Sequence, residues 1–394
     1  MNISIERIET LLLIAAIVAM AARRLKIPYM VGLMLTGIVL AVSPFPSDDI
    51  EITKDLIFTI FLPPLIYEAA IYIKWQELRR DLPVILTLAT IGVVLSAAVT
   101  AAGMHYLANW EWQSAILFGV LIAATDPVSV IATFKEAGVH GRLRLLVEAE
   151  SLFNDSAAAV AFSIALAFAM GGSITVSGTL QALVITIAGG ILCGSLVAGG
   201  VLLLAGRTDD HLIEITLTTV AAYGSFLLAE HFHLSGVLAS LVAGLLTGNI
   251  GALGSITDKG RDAVLSFWEF IAFVVNSLIF MLIGIRGAYQ DFTNLLIPTT
   301  ISIVLVLLGR ALAIYPLSAL FSRSALQVSP SHQHILFWGG LRGALALALA
   351  LGLPPEIAHR EAIVAVAFGV VAFSIFAQGL TMVPLLRKLK EIPE

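Results

Sequence analysis

The chain has 394 residues, 59% hydrophobic and 12% charged, with a net charge of −5 and a mean hydropathy of +0.98. A soluble domain carries about 25% charged residues, so the composition excludes a water-soluble protein, and the small, dispersed charge offers no basic patch for nucleic acid. Cys193 is the only cysteine, which excludes an intrachain disulfide and a cysteine cluster holding a metal.

Apolar runs long enough to cross a ~30 Å hydrocarbon core fall near 9–22, 28–45, 55–73, 83–107, 113–134, 147–170, 175–205, 211–231, 234–249, 264–285, 293–321, 333–352 and 361–385. The expectation is an all-α polytopic membrane protein of about thirteen transmembrane helices, one transporter domain spanning 1–394. Glu6, Arg7 and Glu9 precede the first run and Arg23, Arg24 and Lys26 follow it. That is not the basic leader of a signal peptide, so an uncleaved first helix is expected.

Basic residues alternate with the runs. Sixteen lie after odd-numbered runs, in clusters such as Arg79–Arg80 and Arg387–Lys388, against four on the other side. This positive-inside bias predicts a cytoplasmic C-terminus and an external N-terminus. Thirteen runs divide into a first repeat of about 1–170, a linker helix of about 175–205 and a second repeat of about 211–387. The second repeat then enters the membrane from the opposite side, the inverted arrangement of many secondary transporters. The polar stretch SIFAQG (374–379) in the last run reads as an interruption echoing TDP (125–127) in the fifth.

Polar groups inside the runs carry the chemistry. Glu68 follows a double proline in LPPLIYEAA (62–70); it either faces an ion cavity or makes a structural hydrogen bond. Pro127 removes a backbone donor and clashes with the preceding turn, which leaves Thr125 and Asp126 at a break in mid-membrane. Such a break is tolerated only inside protein or along a cavity. Its free carbonyls, hydroxyl and carboxylate suit a small alkali cation; a proline kink capped by Asp126 is the plainer alternative. In ESLFNDSAAAVAF (150–162), Ser151 and Asp155 are four apart and share one helix face. Glu150 and Asn154 share the next face. One face can offer oxygens to an ion while the other anchors the helix. Arg310, in LLGRALA (307–313), needs a counter-charge unless it snorkels, and Glu150 is the acid assigned to it. Arg342 lies in GGLRGALALAL (339–349), where glycines permit close helix contact; it either packs there or neutralises helix ends and acids nearby. His231/His233 and His332/His334 are each two apart, so on helices each pair points two ways and is a poor metal site.

Together ATDPVSV (124–130), ESLFNDSAAAVAF, the arginine of LLGRALA, GGLRGALALAL and LPPLIYEAA resemble the NhaP/NHE-type sodium/proton exchangers of the monovalent cation:proton antiporter family. The resemblance covers essentially the whole chain. It implies an NhaA-like antiporter fold with crossed interrupted helices, a homodimer, and location in the cell (inner) membrane. It makes Asp155 the acid that alternately holds cation and proton, with Na⁺ at Asp155, Thr125 and Ser151. Asp126 and Asn154 match polar residues flanking the crossing, and Glu150 with Arg310 matches a buried ion pair. Electrogenic relatives carry a second aspartate where this chain has Asn154, which implies electroneutral exchange. The chain ends a few residues after its last run, so regulation through a long cytoplasmic tail is not expected.

The function expected is Na⁺ (or Li⁺) for H⁺ antiport by alternating access, a secondary transporter and not an enzyme, with no cofactor. A proton and a cation compete for one desolvated carboxylate. A K⁺/H⁺ antiporter of the same fold is the near alternative. A cation channel is the alternative from another class, although the acids sit on single helices and not in a ring about a symmetry axis. A hydrolase built on Ser151 lacks a histidine at its depth and a nucleophile elbow.

Overall fold

The computed structural model describes residues 5–25, 27–43, 56–126, 130–131, 134, 137–171, 176–251, 255–290, 293 and 295–392. All regular structure among them is helical, which satisfies the backbone groups within each segment where lipid offers no water. In chain order the helices are α1 (Ile5–Leu25) and α2 (Tyr29–Val42), α3 (Leu56–Ile71), α4 (Trp75–Ala108) and α5 (Trp112–Ala123). There follow α6 (Arg142–Ala169), α7 (Val176–Ala205), α8 (His211–His231), α9 (Gly236–Ile250), α10 (Asp258–Ala288) and α11 (Leu296–Ala319). The chain closes with α12 (Pro330–Trp338), α13 (Ala344–Leu351) and α14 (Arg360–Lys388). Side-chain caps start α8, α9, α10 and α12: Asp210, Ser235, Thr257 and Ser329 each accept a first-turn N–H, supplying a partner that the helix itself cannot.

Among the described residues, seven helices are long and apolar enough to cross a membrane, and α2, α3, α5 and α9 are shorter apolar helices. The chain is therefore a multi-pass membrane protein. Helix ends extend beyond the apolar runs. Arg79 and Arg80, assigned to a loop by hydropathy, lie in the first turns of α4, with Pro83 inside the same helix. Arg142 and Arg144 likewise open α6. Hydropathy marks where lipid ends, and the helix continues past it into water.

Two helices are interrupted. Residues 124–126 leave helical geometry after α5; Pro127, to which the break was attributed, lies outside the described residues. The second interruption is not at SIFAQG. That stretch is a turn of π-helix inside continuous α14, and its Gln378 amide donates to the carbonyl of Trp338 at 3.0 Å. The π-turn keeps its backbone bonded within the helix, so polarity there signals a contact and not a break. The second break lies at 339–343, between α12 and α13, where three glycines in five residues remove the side chains that would hold a helix.

Packing places both breaks at the centre. α4 runs along α11, α5 and α6, while α2 lies along α10 and α3 along α9. Two of these crossings are backbone-close. Gly37 of α2 and Gly284 of α10 each leave no room for a Cβ against the other, and Gly248 of α9 does the same against Ile71 of α3. Small residues at such crossings let van der Waals contact replace the hydrophobic drive that lipid lacks.

Candidate functional site

The two interruptions touch. The backbone N–H of Asp126 donates to the carbonyl of Leu341 at 2.7 Å. This links orphan groups from two helix breaks, which would otherwise stay unpaired in an apolar interior. The approach depends on Gly343, where a Cβ would fall on the Asp126 side chain.

α6 passes beside this crossing and presents two faces. On one, Thr125 Oγ1 donates to Ser151 Oγ at 3.1 Å, with both residues buried. Asp155, one turn on, accepts a hydrogen bond from the backbone of Thr125. Its Oδ1 has no hydrogen-bond partner among the described residues. On the other face, Glu150 is held by Arg310 of α11, Nη1 to Oε1 at 2.7 Å and Nη2 to Oε2 at 2.8 Å. The same guanidinium also donates through Nη2 to the Leu336 carbonyl at 3.0 Å. Asn154 leans on the pair, Nδ2 to Glu150 Oε1 at 3.4 Å, and its Oδ1 is unpartnered. Arg342 is buried at the second break; its Nη1 donates to Gly340 O, and its Nε has no partner among the described residues.

A cavity of about 1160 Å³ opens onto Asp155, Thr125 and Asp126. α6 contributes a stripe of Arg144, Glu148, Leu152 and Asp155, and Ala344–Ala346 of α13 adjoin it. Glu68 and Tyr72 of the α3 region and Glu269 and Asn276 of α10 line the cavity too. Ser151 and Asn154 do not line it: Ser151 is hydrogen-bonded to Thr125, which does, and Asn154 to Glu150, which does not. Arg310, like Glu150, is away from the cavity.

Sequence reasoning missed Glu148, Glu269 and Asn276. Glu148 is 7% exposed and bridges to Arg144 at 3.5 Å. Its signal was there to read: it precedes Asp155 by seven residues, two helical turns on one face. Glu269 and Asn276 gave none, because only packing of α10 against its neighbours brings them into the lining of this cavity.

An unpaired carboxylate oxygen, two hydroxyls and the carbonyls of a helix break are hard oxygen donors, the set that an alkali or alkaline-earth cation prefers over nitrogen or sulfur. A buried orphan oxygen is rare enough to need an explanation, and a small cation or a proton supplies one.

Residues 10–388 match a family described as the transmembrane sodium/hydrogen exchanger. The sequence is 40% identical over 370 residues to the Na⁺/H⁺ antiporter ApNhaP of Aphanothece halophytica, covering 92% of this chain and 70% of that protein. It is 34% identical over 398 residues to the Na⁺/H⁺ antiporter NhaH of Halobacillus dabanensis, covering 97% of each. The fold is that of the sodium proton antiporter MjNhaP1 of Methanocaldococcus jannaschii, with a TM-score of 0.79 at 22% identity over 98% of this chain and 97% of that one.

Proposed function

The chain belongs to the transmembrane sodium/hydrogen exchanger family, and from that premise we propose that it is a secondary antiporter exchanging Na⁺ for H⁺, one for one, with Asp155 holding either in turn. The observation that carries this reading is the partnerless Asp155 oxygen on a cavity wall, beside the Thr125 and Ser151 hydroxyls at a helix break. In the proposed cycle Na⁺ binds Asp155, Thr125 and Ser151, while Asp126, Asn154 and Glu68 shape the surrounding field. Either substrate neutralises Asp155, and only the neutral site crosses between the two faces of the membrane. Asn154 beside Asp155 adds no second charge, so one cation replaces one proton and the exchange is electroneutral. Glu150 and Arg310 carry no ion; they hold α6 to α11. No cofactor enters the cycle.

The wider architecture proposed is thirteen crossings, with 1–170 and 211–387 as inverted repeats about α7. Two relationships support it. α2 against α10 and α3 against α9 are the same contact with the halves exchanged, second element on third. Both breaks also fall in the fifth run of their half. Arg23, Arg144 and Arg387 line the cavity and belong to the arginine-rich side, so the cavity opens to the cytoplasm of the cell (inner) membrane, with the C-terminus on that side. A homodimer, as the family resemblance implies, completes the proposal.

The test is proton flux in proteoliposomes of the purified protein with a pH-sensitive dye, adding Na⁺, Li⁺ and K⁺ in turn. Na⁺ should dissipate an imposed pH gradient at a rate unchanged when the membrane potential is clamped. A response to K⁺ alone would move the protein to K⁺/H⁺ exchange. Cation entry without counter-moving protons would make it a channel.

A further inference from the structure

The cavity draws its polar lining from separate groups of helices. Asp155, Thr125 and Asp126 come from α6 and the first break; Glu68 and Tyr72 come from the α3 region and Glu269 and Asn276 from α10, which packs on α2, α8 and α3. On α10 the cavity positions are Glu269, Ala272, Phe273 and Asn276, a single stripe by helical spacing. It starts at exposed Glu269 and ends, two turns deeper, at Asn276, which is 4% exposed. Phe273 between them is braced by the Tyr29 ring at 6.0 Å between centroids. No hydrogen bond to another described residue occupies the Asn276 carboxamide, which lines the cavity. A polar group on a cavity wall is completed by water or by a ligand. Its neighbour Ser277 is also buried, but it lies off the cavity stripe.

A cation seated on Asp155, Thr125 and Ser151 receives oxygens from α6 and the first break alone. We infer that the Asn276 carboxamide oxygen, from α10 in the same cavity, completes its coordination, which makes Asn276 a residue that sets cation affinity and selectivity. The inference rests on the exchange reading above. An amide oxygen is a neutral donor that does not take up a proton near neutral pH. Asn276 therefore acts on the cation-loaded state and leaves the proton-loaded state alone, whereas Asp155 serves both. The span between α6 and α10 then limits which alkali cation touches both helices.

The experiment measures KM and maximal rate for Na⁺, Li⁺ and K⁺ in proteoliposomes of Asn276→Leu, Asn276→Asp, Ser277→Ala and the parent, with Asp155→Asn alongside. Asn276→Leu keeps the branched outline of the side chain and removes the oxygen. Its KM for Na⁺ should rise roughly tenfold, the loss expected for one ligand to a charge, with the maximal rate near that of the parent and the KM ratios among the three cations altered. Asn276→Asp keeps an oxygen and should restore Na⁺ affinity, and Ser277→Ala should match the parent throughout. Unchanged KM values and ratios in Asn276→Leu would overturn the inference. So would an equal fall in maximal rate in Asn276→Leu, Asn276→Asp and Ser277→Ala at constant KM, which is what a packing role predicts. If Asn276→Leu fails to fold, Asn276→Ser, which shortens the donor, decides by whether the cation order changes. Failure of the exchange reading itself would show separately, as exchange retained by Asp155→Asn.

Discussion

Arg310 grips Glu150 with both terminal nitrogens, at 2.7 and 2.8 Å, 160 positions apart in sequence and almost wholly out of solvent. The bidentate geometry is the strongest an arginine makes with a carboxylate. The pair is a fastening between α6 and α11 and lies off the cavity. Removing one partner strands the other's charge, at roughly 3–5 kcal/mol. Glu150→Ala and Arg310→Ala should each lower the melting temperature sharply, and the double variant Glu150→Gln with Arg310→Met should recover part of the loss. Thermal melts in detergent check this; single variants as stable as the parent would show that the pair contributes nothing.

Asp155→Asn should leave a folded protein without exchange. The carboxamide keeps the volume and the hydrogen bond from Thr125 but holds neither a proton nor the charge that balances a cation. It also strands no charge, so its melting temperature should fall less than that of Glu150→Ala. Sodium-driven proton flux near the parental rate would remove Asp155 from the mechanism.

The second helix break shows what the sequence conceals. Thr125 and Asp126 before Pro127 marked the first by a local signal, a carboxylate and a proline inside an apolar run. The second, at 339–343, is written only as glycines, which serve equally for close helix contact. SIFAQG was misleading because a polar side chain in a membrane run can bond to a neighbouring helix without the backbone breaking. Apolar runs are legible because lipid imposes them residue by residue. The Glu150–Arg310 pair was legible because a cation inside an apolar run needs an acid; that Asn276 faces Asp155's cavity depends on packing between helices distant in sequence, which no local period encodes.

Gly343 makes that second break possible. Its backbone is extended, at φ −151°, so conformation would admit another residue; the obstacle is space, because a Cβ would fall on Asp126. Gly343→Ala should push Asp126 off the Leu341 carbonyl, at a cost of about 1–3 kcal/mol as for other overpacked sites, and slow exchange. Combining it with Asp126→Gly should restore stability without restoring transport. Melting and flux together check it: a Gly343→Ala protein with parental values in both would mean that the two breaks need no close contact.

Arg142 is a second fastening, at the start of α6. Nε and Nη2 donate to Asp81 Oδ1 of α4 at 2.9 and 2.7 Å, and Nη1 and Nη2 donate to the carbonyls of Gln327 and Leu326 at 2.6 and 2.8 Å. One guanidinium thus joins α4, α6 and the segment before α12. Lysine cannot reproduce this fork. Arg142→Lys should cost roughly 1–2 kcal/mol, less than for a fully buried pair because Arg142 reaches solvent. The KM for Na⁺ should not change, since Arg142 does not line the cavity. A raised KM at unchanged melting temperature would contradict this purely structural role.

Transport should depend on pH through competition at one site. If Asp155 takes both substrates, protons displace the cation at low pH, so the apparent KM for Na⁺ rises while the maximal rate holds. At high pH the returning site lacks its proton, and the maximal rate falls instead. The profile is then a bell whose acid limb moves to lower pH as Na⁺ increases, because more cation is needed to hold the site against more protons. The signs follow from competition alone: raising Na⁺ must rescue the acid limb and cannot rescue the basic one. No histidine is among the residues lining the cavity, so replacing any single histidine by alanine should leave both limbs in place. His332 is the most informative of these, since its Nε2 lies 3.6 Å from Glu391, an ion pair that itself responds to pH. Rates are measured against pH at several Na⁺ concentrations in the parent and in the histidine variants. An acid limb fixed at every Na⁺ concentration, or one that vanishes in His332→Ala, would place pH sensing outside Asp155 and end the single-site account.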